Sequence, residues 1–434
     1  MLAIVVLIVE LVILIIVKAA GVINIGNGLA SLFIVGFSVV FLASIQKSDY
    51  TERYSNQIAI GYLIRIVLLF FDLFGTRILT LPQSGADSAG FYYNATLLAI
   101  DGHAGRETEF AKFMGMIFKQ IGINRLYAQF LLMLLSIATI IAFITVIDKL
   151  DITSDTKTWS AWVICVLPNF ALLSSIFLRE SLVTFLVTIS ICLMSKWMND
   201  QSIMYFVISV CLSILACIFH SGCIGITIGY ILCLFIYDRH VQKIRVTIGG
   251  IVFALAMGFG LSFLFLQYGN LLLGKFTYVE NMADIANMNE AGGSSYLKYV
   301  GNSNNILNMI LFTIPRIVYF LFSPFPWQWR GISDIIAFFF SGLFYLITIK
   351  NTINYLRSSK QKNRGIIICL FVIAFICTFI FAWGVSNTGT ATRHRDKMVC
   401  LYGIIYALTL NISDTNQEKV KNKLGAERYK SYIY

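Results

Sequence analysis

Residues 127–147 run YAQFLLMLLSIATIIAFITVI without a single charge, between Arg125 on one side and Asp148-Lys149 on the other. As a helix this stretch covers roughly 31 Å, about the hydrocarbon thickness of a bilayer. Windows of similar character recur along the chain: Ala3–Ala20, Leu29–Ile45, Ile58–Leu73, Trp159–Phe177, Ser181–Met198, Ile203–Phe219, Cys223–Tyr237, Val246–Leu266, Ile335–Ile349, Ile366–Val385 and Met398–Leu410. Composition agrees. Of 434 residues, 58% are hydrophobic and 13% charged, with a mean hydropathy of +0.78. A soluble domain carries roughly 25% charged residues, so this chain cannot cover a globule with polar groups. A soluble enzyme, a disordered chain and a nucleic-acid-binding domain are excluded. The expected fold is all-α: a polytopic integral membrane protein of about 12–14 transmembrane helices. One membrane domain covers residues 1–412, and a basic tail covers 413–434. The N-terminal run lacks a small-residue cleavage site, so it reads as a retained span.

The net charge of +11 is read first as topology, because short cytoplasmic loops collect Lys and Arg. Asp238–Arg245, Lys350–Arg364 and Ser413–Tyr434 carry surpluses of +2, +5 and +2. Placing all three in the cytoplasm puts loops 74–126, 267–305 and 386–397 outside, with the Arg179-Glu180 and His220-Ser221-Gly222 corners. Ile306–Phe322 conflicts with this count if it crosses fully. It is expected instead to be re-entrant or interfacial over 306–327, returning outward at Ser323-Pro324-Phe325-Pro326-Trp327, where two prolines among aromatics suit an interface. The nine cysteines lie in or beside apolar runs without metal-ligand spacing and read as thiols, neither a disulfide frame nor a zinc site. No metal or other cofactor is expected.

Polar groups out of place in lipid mark candidate sites. Gly85-Ala86-Asp87-Ser88 opens an amphipathic run that includes Tyr92, with Asp87 or Ser88 suited to the N-cap. Alternatively, Asp87 is an outer carboxylate able to accept a proton from a sugar hydroxyl. Arg179-Glu180 interrupts two apolar runs at a corner where Gly, Pro or Asn is more usual. It is either an internal ion pair or a guanidinium shaped for a diphosphate. His220 is either a structural imidazole or a phosphate or sugar contact. Thr392-Arg393-His394-Arg395-Asp396-Lys397 forms the densest outer charge cluster, either an anion site or a sign that this loop is cytoplasmic, and Arg316 and Arg330 flank the Pro-Phe-Pro turn. Arg65 and Glu10, inside spans, are expected as internal ion-pair partners. Loop 267–305 is rich in Asn and Gly, and its Tyr278, Tyr296 and Tyr299 offer stacking faces for sugars. No Walker A pattern, Gly-x-Ser-x-Gly elbow or His-Glu-x-x-His pair is present, so ATP drive, a serine hydrolase and a zincin find no support.

Ile176-Phe177-Leu178-Arg179-Glu180-Ser181-Leu182 followed by His220-Ser221-Gly222 resembles the middle of Wzy/EpsG-type bacterial polysaccharide polymerases. The segment Gly85-Ala86-Asp87-Ser88-Ala89-Gly90-Phe91-Tyr92 resembles the first outer-loop signature of GT-C membrane glycosyltransferases, although there the acid follows the first span and here Asp87 follows the third. The Ser323–Trp327 turn and Arg393-His394-Arg395 fit the same company. The likeness rests on these four short motifs in order and on a loosely shared multi-span layout. It implies a GT-C-like fold and a metal-independent polymerase that joins undecaprenyl-diphosphate-linked oligosaccharide units at the outer face of the bacterial cytoplasmic membrane. In that reading Asp87 is the base, assisted by His220 or His394, and Arg179, Arg393 and Arg395 hold the diphosphate. Glu180, Arg316, Arg330 and Tyr92 contact substrate. A chain-length regulator and a flippase are candidate partners beside the membrane lipid, and no nucleic acid is expected. Two alternatives share the layout: a GT-C transferase adding one sugar from a polyprenyl-phosphate donor, and a lipid-linked oligosaccharide transporter. A transporter would place its charges at mid-membrane depth and often shows two related halves, and no repeat is visible in this sequence.

Overall fold

The computed structural model describes residues 2–19, 25–48, 51–105, 107–200, 202–239, 241–245, 306–357, 363–385 and 387–410, with 250, 252, 256, 296 and 297 between them. The expected span Val246–Leu266, most of loop 267–305 and the tail 413–434 lie outside the described residues. The described chain is almost wholly helical. Its helices are α1 (Leu2–Ala19), α2 (Ile25–Lys47), α3 (Ser55–Phe74), α4 (Ala86–Ile100), α5 (Glu109–Ile121), α6 (Arg125–Lys149), α7 (Ser154–Val166) and α8 (Pro168–Ser174). They continue as α9 (Glu180–Asp200), α10 (Ile203–Phe219), α11 (Ile224–Ile236), α12 (Ile306–Phe322), α13 (Ile332–Arg357), α14 (Arg364–Trp383), α15 (Thr388–Asp396) and α16 (Val399–Leu410). A two-residue antiparallel ladder, Tyr237–Asp238 with Lys243–Ile244, closes the basic hairpin after α11.

Six helices among the described residues are long and apolar enough to cross a membrane, and four further apolar helices are 10–17 residues long. This is an all-α polytopic membrane protein. Helices are the natural solution in lipid, because every backbone N–H and C=O is satisfied within the segment. The rim of the bundle stays apolar: Ile15, Leu32 and Val40 are 67–69% exposed, as a lipid-facing surface requires. The interior is packed around α9, which lies between α6 and α10.

Glycines set the closest helix contacts. Along α11 and the turn before it, Gly222, Gly225 and Gly229 meet Phe381, Cys377 and Ile373 of α14 in descending order, so the two helices run antiparallel in close approach. A Cβ on Gly225 would stand 2.7 Å from the Cys377 Cα, and one on Gly229 would stand 2.9 Å from the Ile373 Cα. Without a hydrophobic drive between helices in lipid, such small-residue seams are a principal way to gain packing.

Several expectations are revised. Trp159–Phe177 is not one helix: it breaks at Leu167, whose extended ψ of 113° is what a following proline demands, and Pro168 starts α8. The segment after α8 is buried, with Ile176, Phe177 and Leu178 fully covered, so the Arg179-Glu180 corner approaches from within the bundle. Loop 74–126 contains α4 and α5, locked together where Gly115 faces the Leu98 Cβ and the Ala95 carbonyl. The N-cap of α4 is Gly85, which leaves Asp87 inside the first turn rather than capping it. Arg65 and Glu10 are not ion-pair partners of one another. Arg65 donates to the Ser136 and Ser174 hydroxyls and to the Gly61 and Cys165 carbonyls, all at 2.9–3.0 Å. Glu10 accepts from Ser38 at 3.0 Å, and Ser38 also meets the Tyr62 hydroxyl. In a medium this dry, hydroxyls and carbonyls of adjacent helices substitute for an opposite charge.

Ile306–Phe322 forms one helix, α12, with Pro315 inside it. Between Phe312 and Phe320 its contacts with the end of α14 fall on Phe381, Ala382, Trp383 and the following Val385, while Arg316 and Tyr319 also meet Tyr296. It therefore crosses over that end instead of running along α14.

Candidate functional site

Four segments far apart in sequence converge at one end of the bundle. The polar helix α15 is started by Asn387, whose side chain accepts from the Thr390 N–H at 2.7 Å. Arg393 and Lys397, one helical turn apart, then fall on the same face. Both meet Glu180, the first residue of α9, a position where the helix dipole favours an acid. Arg393 donates to Glu180 Oε1 through Nη2 at 3.0 Å and Nε at 3.2 Å, and Lys397 Nζ reaches the same oxygen at 3.3 Å. Through its other nitrogen, Nη1, Arg393 pairs with Asp87 from the first turn of α4. The side chains grade from open to closed: Asp87 is 61% exposed, Arg393 8%, Glu180 3% and Lys397 0%. Glu180 Oε2 has no hydrogen-bond partner among the described residues.

Beside this network sits a pair of imidazoles. His220 ends α10 in extended backbone and leads into the turn at Ser221–Cys223. Its Nε2 lies 3.0 Å from Nε2 of His394, and both rings pack on Phe381 with centroids 5.3 Å away. Gly222 is required here, because a Cβ would stand 2.4 Å from the Phe381 ring. A bond between two ring nitrogens needs one donor and one acceptor, so at least one ring of the pair is neutral. Burial, reinforced by Lys397 and its neighbours, holds His220 well below the usual imidazole range.

Arg179 occupies the rim, half-buried. It donates to the Phe219 carbonyl at 3.2 Å, and its guanidinium lies 5.8 Å from the Phe91 ring centre. It is within electrostatic reach of Glu180, His220 and Lys397. Beneath, Asn169 of α8 donates to Asp396 Oδ2 at 2.6 Å. Burial pushes the Asp396 carboxyl up to about 7 and the Lys397 ammonium down to about 8. Three cations, Arg179, Arg393 and Lys397, thus meet two carboxylates, Asp87 and Glu180, in a water-poor setting where charge interactions are strong.

The other candidates lie elsewhere. Arg395 points away from Arg393, as residues two apart on a helix must. It donates to the Leu321 and Ser323 carbonyls and to the Ser341 hydroxyl, and is wholly buried. Arg316 donates to the Ala382, Val385 and Leu297 carbonyls and sits 5.4–5.5 Å from the Tyr296 and Trp383 rings. Arg330 is exposed beyond the turn, with its backbone N–H bonded to Asp334. Tyr92 is half-buried among Phe118, Phe177 and the Arg125 guanidinium. Tyr296 is buried against Arg316 and Tyr319, and Tyr278 and Tyr299 lie outside the described residues.

Asn169 and Phe381 were not anticipated from sequence, whereas Asp396 and Lys397 stood in the outer charge cluster without a role of their own. Asn169 and Phe381 carry no local signal.

No family model, curated protein or solved structure matches this chain.

Proposed function

We propose that the chain is a membrane glycosyltransferase that polymerises lipid-linked oligosaccharide units at the outer face of the cytoplasmic membrane. The observation that carries this reading is the convergence of Asp87, Arg179-Glu180, His220-His394 and Arg393-Lys397 into one cluster, open at Asp87 and closed at Lys397. The resemblance to polysaccharide polymerases supplies the substrate class, and the guanidinium groups of Arg179 and Arg393 suit a lipid diphosphate.

In this mechanism Arg179 and Arg393 receive the diphosphate of one lipid-linked glycan. Arg393 is held from below by Glu180, whose Oε1 Lys397 also pairs, so its guanidinium is fixed before substrate arrives, and little reorganisation is left for the reaction. As Arg393 turns part of its fork to the diphosphate, Asp87 is freed toward the opening. A sugar hydroxyl of a second unit attacks the anomeric carbon. The bond from that carbon to the diphosphate oxygen breaks, the leaving group takes the electron pair, and the hydroxyl proton passes to Asp87. The His220-His394 pair orients a hydroxyl or phosphate oxygen at the wall of the site.

The test is a deletion strain complemented with single variants, followed by gel separation of surface glycan and mass spectrometry of lipid-linked oligosaccharides. Arg179→Ala and Asp87→Asn are expected to abolish the ladder while complete single units accumulate and the protein stays in the membrane. Ladders of ordinary length in both variants overturn the assignment of the site. Units lighter by one sugar in the deletion strain replace the polymerase with a single-sugar transferase, and complete units trapped at the inner face replace it with a transporter.

A further inference from the structure

At the far end of α6 and α9 from Glu180 lies a cavity of about 580 Å³, within the ~300–1,000 Å³ of ordinary ligand sites. Along α9, Glu180 and Asn199 are separated by roughly 29 Å, so the cavity sits about one bilayer thickness from the charge cluster. It is unrelated to the proposed reaction, and nothing in that mechanism uses it.

Its lining is amphiphilic. Val146, Ile189, Leu193 and Leu408 form an apolar wall. Lys149, in the last turn of α6, and Lys196, four residues before the end of α9, outweigh Asp151 at the polar side. Gln242 and Asn363 complete that side, and they belong to two of the three basic segments that the charge bias places in the cytoplasm. Ser195, 6% exposed, also lines the cavity, and its hydroxyl has no hydrogen-bond partner among the described residues. A serine on a helix ordinarily returns its hydroxyl to a carbonyl of the preceding turn, as Thr348 and Thr352 do here. Ser195 keeps a donor for something else.

We infer that this cavity binds an anionic phospholipid of the inner leaflet. Its headgroup phosphate sits between Lys149 and Lys196 and accepts from the Ser195 hydroxyl, and the upper part of one acyl chain lies on the Val146–Leu193 wall. An apolar wall beside a cationic mouth matches an amphiphile rather than a free anion, and the inner leaflet supplies anionic headgroups at that level.

The experiment uses the full chain, purified in detergent, stripped of lipid and titrated with phosphatidylglycerol or phosphatidylcholine under native mass spectrometry. Phosphatidylglycerol is expected to bind the wild type at least ten-fold more tightly than phosphatidylcholine. Lys149→Gln and Lys196→Gln should each weaken it about five-fold, and the double variant about 25-fold, from ~1 kcal/mol per lysine near an anionic headgroup and ~1.4 kcal/mol per decade. Val146→Trp, which fills the apolar wall, should lower binding of phosphatidylglycerol with both lysines intact. The wild-type selectivity stands as a result even where a variant fails to fold. Equal affinity for the two lipids overturns the proposal, as does unchanged binding in the double lysine variant. Displacement of the lipid by millimolar inorganic phosphate also overturns it, by making the site one for a free anion.

Discussion

Glu180 holds two cations at once, and removing its charge is the sharpest test of the cluster. In Glu180→Gln the side chain keeps its shape and loses the charge that faces Arg393 at 3.0 Å and Lys397 at 3.3 Å. At an effective dielectric near 20, Coulomb's law gives roughly 5 kcal/mol for each contact. Desolvation of the three groups opposes this, and the measured cost of removing one partner from a buried pair is about 3–5 kcal/mol. Glu180 and Lys397 are at most 3% exposed, so solvent screening does not shrink the effect as it would at a surface. Lys397→Met in the same background removes the deepest of the stranded cations. The double variant is therefore expected to recover at least about 2 kcal/mol of the loss, a coupling of the size seen for residues in one network. The assay is equilibrium unfolding in mixed micelles, followed by tryptophan fluorescence, for the wild type, both single variants and the double. A loss under about 1 kcal/mol in Glu180→Gln, or a double variant less stable than Glu180→Gln alone, would refute the claim that this carboxylate neutralises the two cations.

Two further predictions concern packing and pH. Gly225→Ala, whose Cβ meets the Cys377 backbone at 2.7 Å, should destabilise by about 1–3 kcal/mol, whereas Gly90→Ala, with nothing within 4 Å, should be neutral or stabilise by up to ~1 kcal/mol; unfolding of both variants checks it, and equal effects would defeat it. Asp396, raised from 3.8 to about 7 by burial, is protonated in the folded state over a range where the unfolded chain is ionised. Its contribution is complete below about pH 4 and is lost as pH rises to about 7, a change on the order of 4 kcal/mol. Asp396→Asn should flatten the unfolding free energy across that window, and an unchanged slope would show that the carboxyl titrates normally.

The membrane fold was legible because it rests on composition and on run length, quantities that local sequence carries. Residues 127–147 and 366–383 announce helices whatever their neighbours do. The break at Leu167-Pro168 was missed although Pro168 carried its signal, because the apolar window ran over it. The site was partly legible for a different reason. In lipid an ionisable residue is conspicuous, so Asp87, Glu180, His220 and the 393–395 run stood out one at a time. Which of them meet was not visible, because that depends on contacts more than 200 residues apart, such as Glu180 with Arg393. Loop 74–126 read as a connection because its helices are short and amphipathic, and only their mutual packing at Gly115 makes them a layer.

The buried cations divide into two kinds, and the division separates the site from its scaffold. Arg395 and Arg316 face backbone carbonyls at helix ends: Leu321 in the last turn of α12 and Ser323 just after it, Ala382 in the last turn of α14 and Val385 just after it. The last carbonyls of a helix have no intrahelical donor, and the dipole leaves that end negative. A guanidinium with five donors satisfies several of them at once. Each of these arginines therefore closes a helix end in a place without water: Arg316 through Nε, Nη1 and Nη2, Arg395 through Nε and Nη1. Arg65 does the same with two hydroxyls and two carbonyls inside the bundle. Arg393 and Lys397 are held differently, by carboxylates, and Asp87 leaves that network open to the exterior. A carbonyl cannot be displaced from its helix by an arriving anion, but an exposed carboxylate can give up its share of a guanidinium to a stronger acceptor. The run Arg393-His394-Arg395 thus serves both purposes within three residues. The 100° step of the helix turns Arg395 into the scaffold, His394 toward His220 and Arg393 toward the opening.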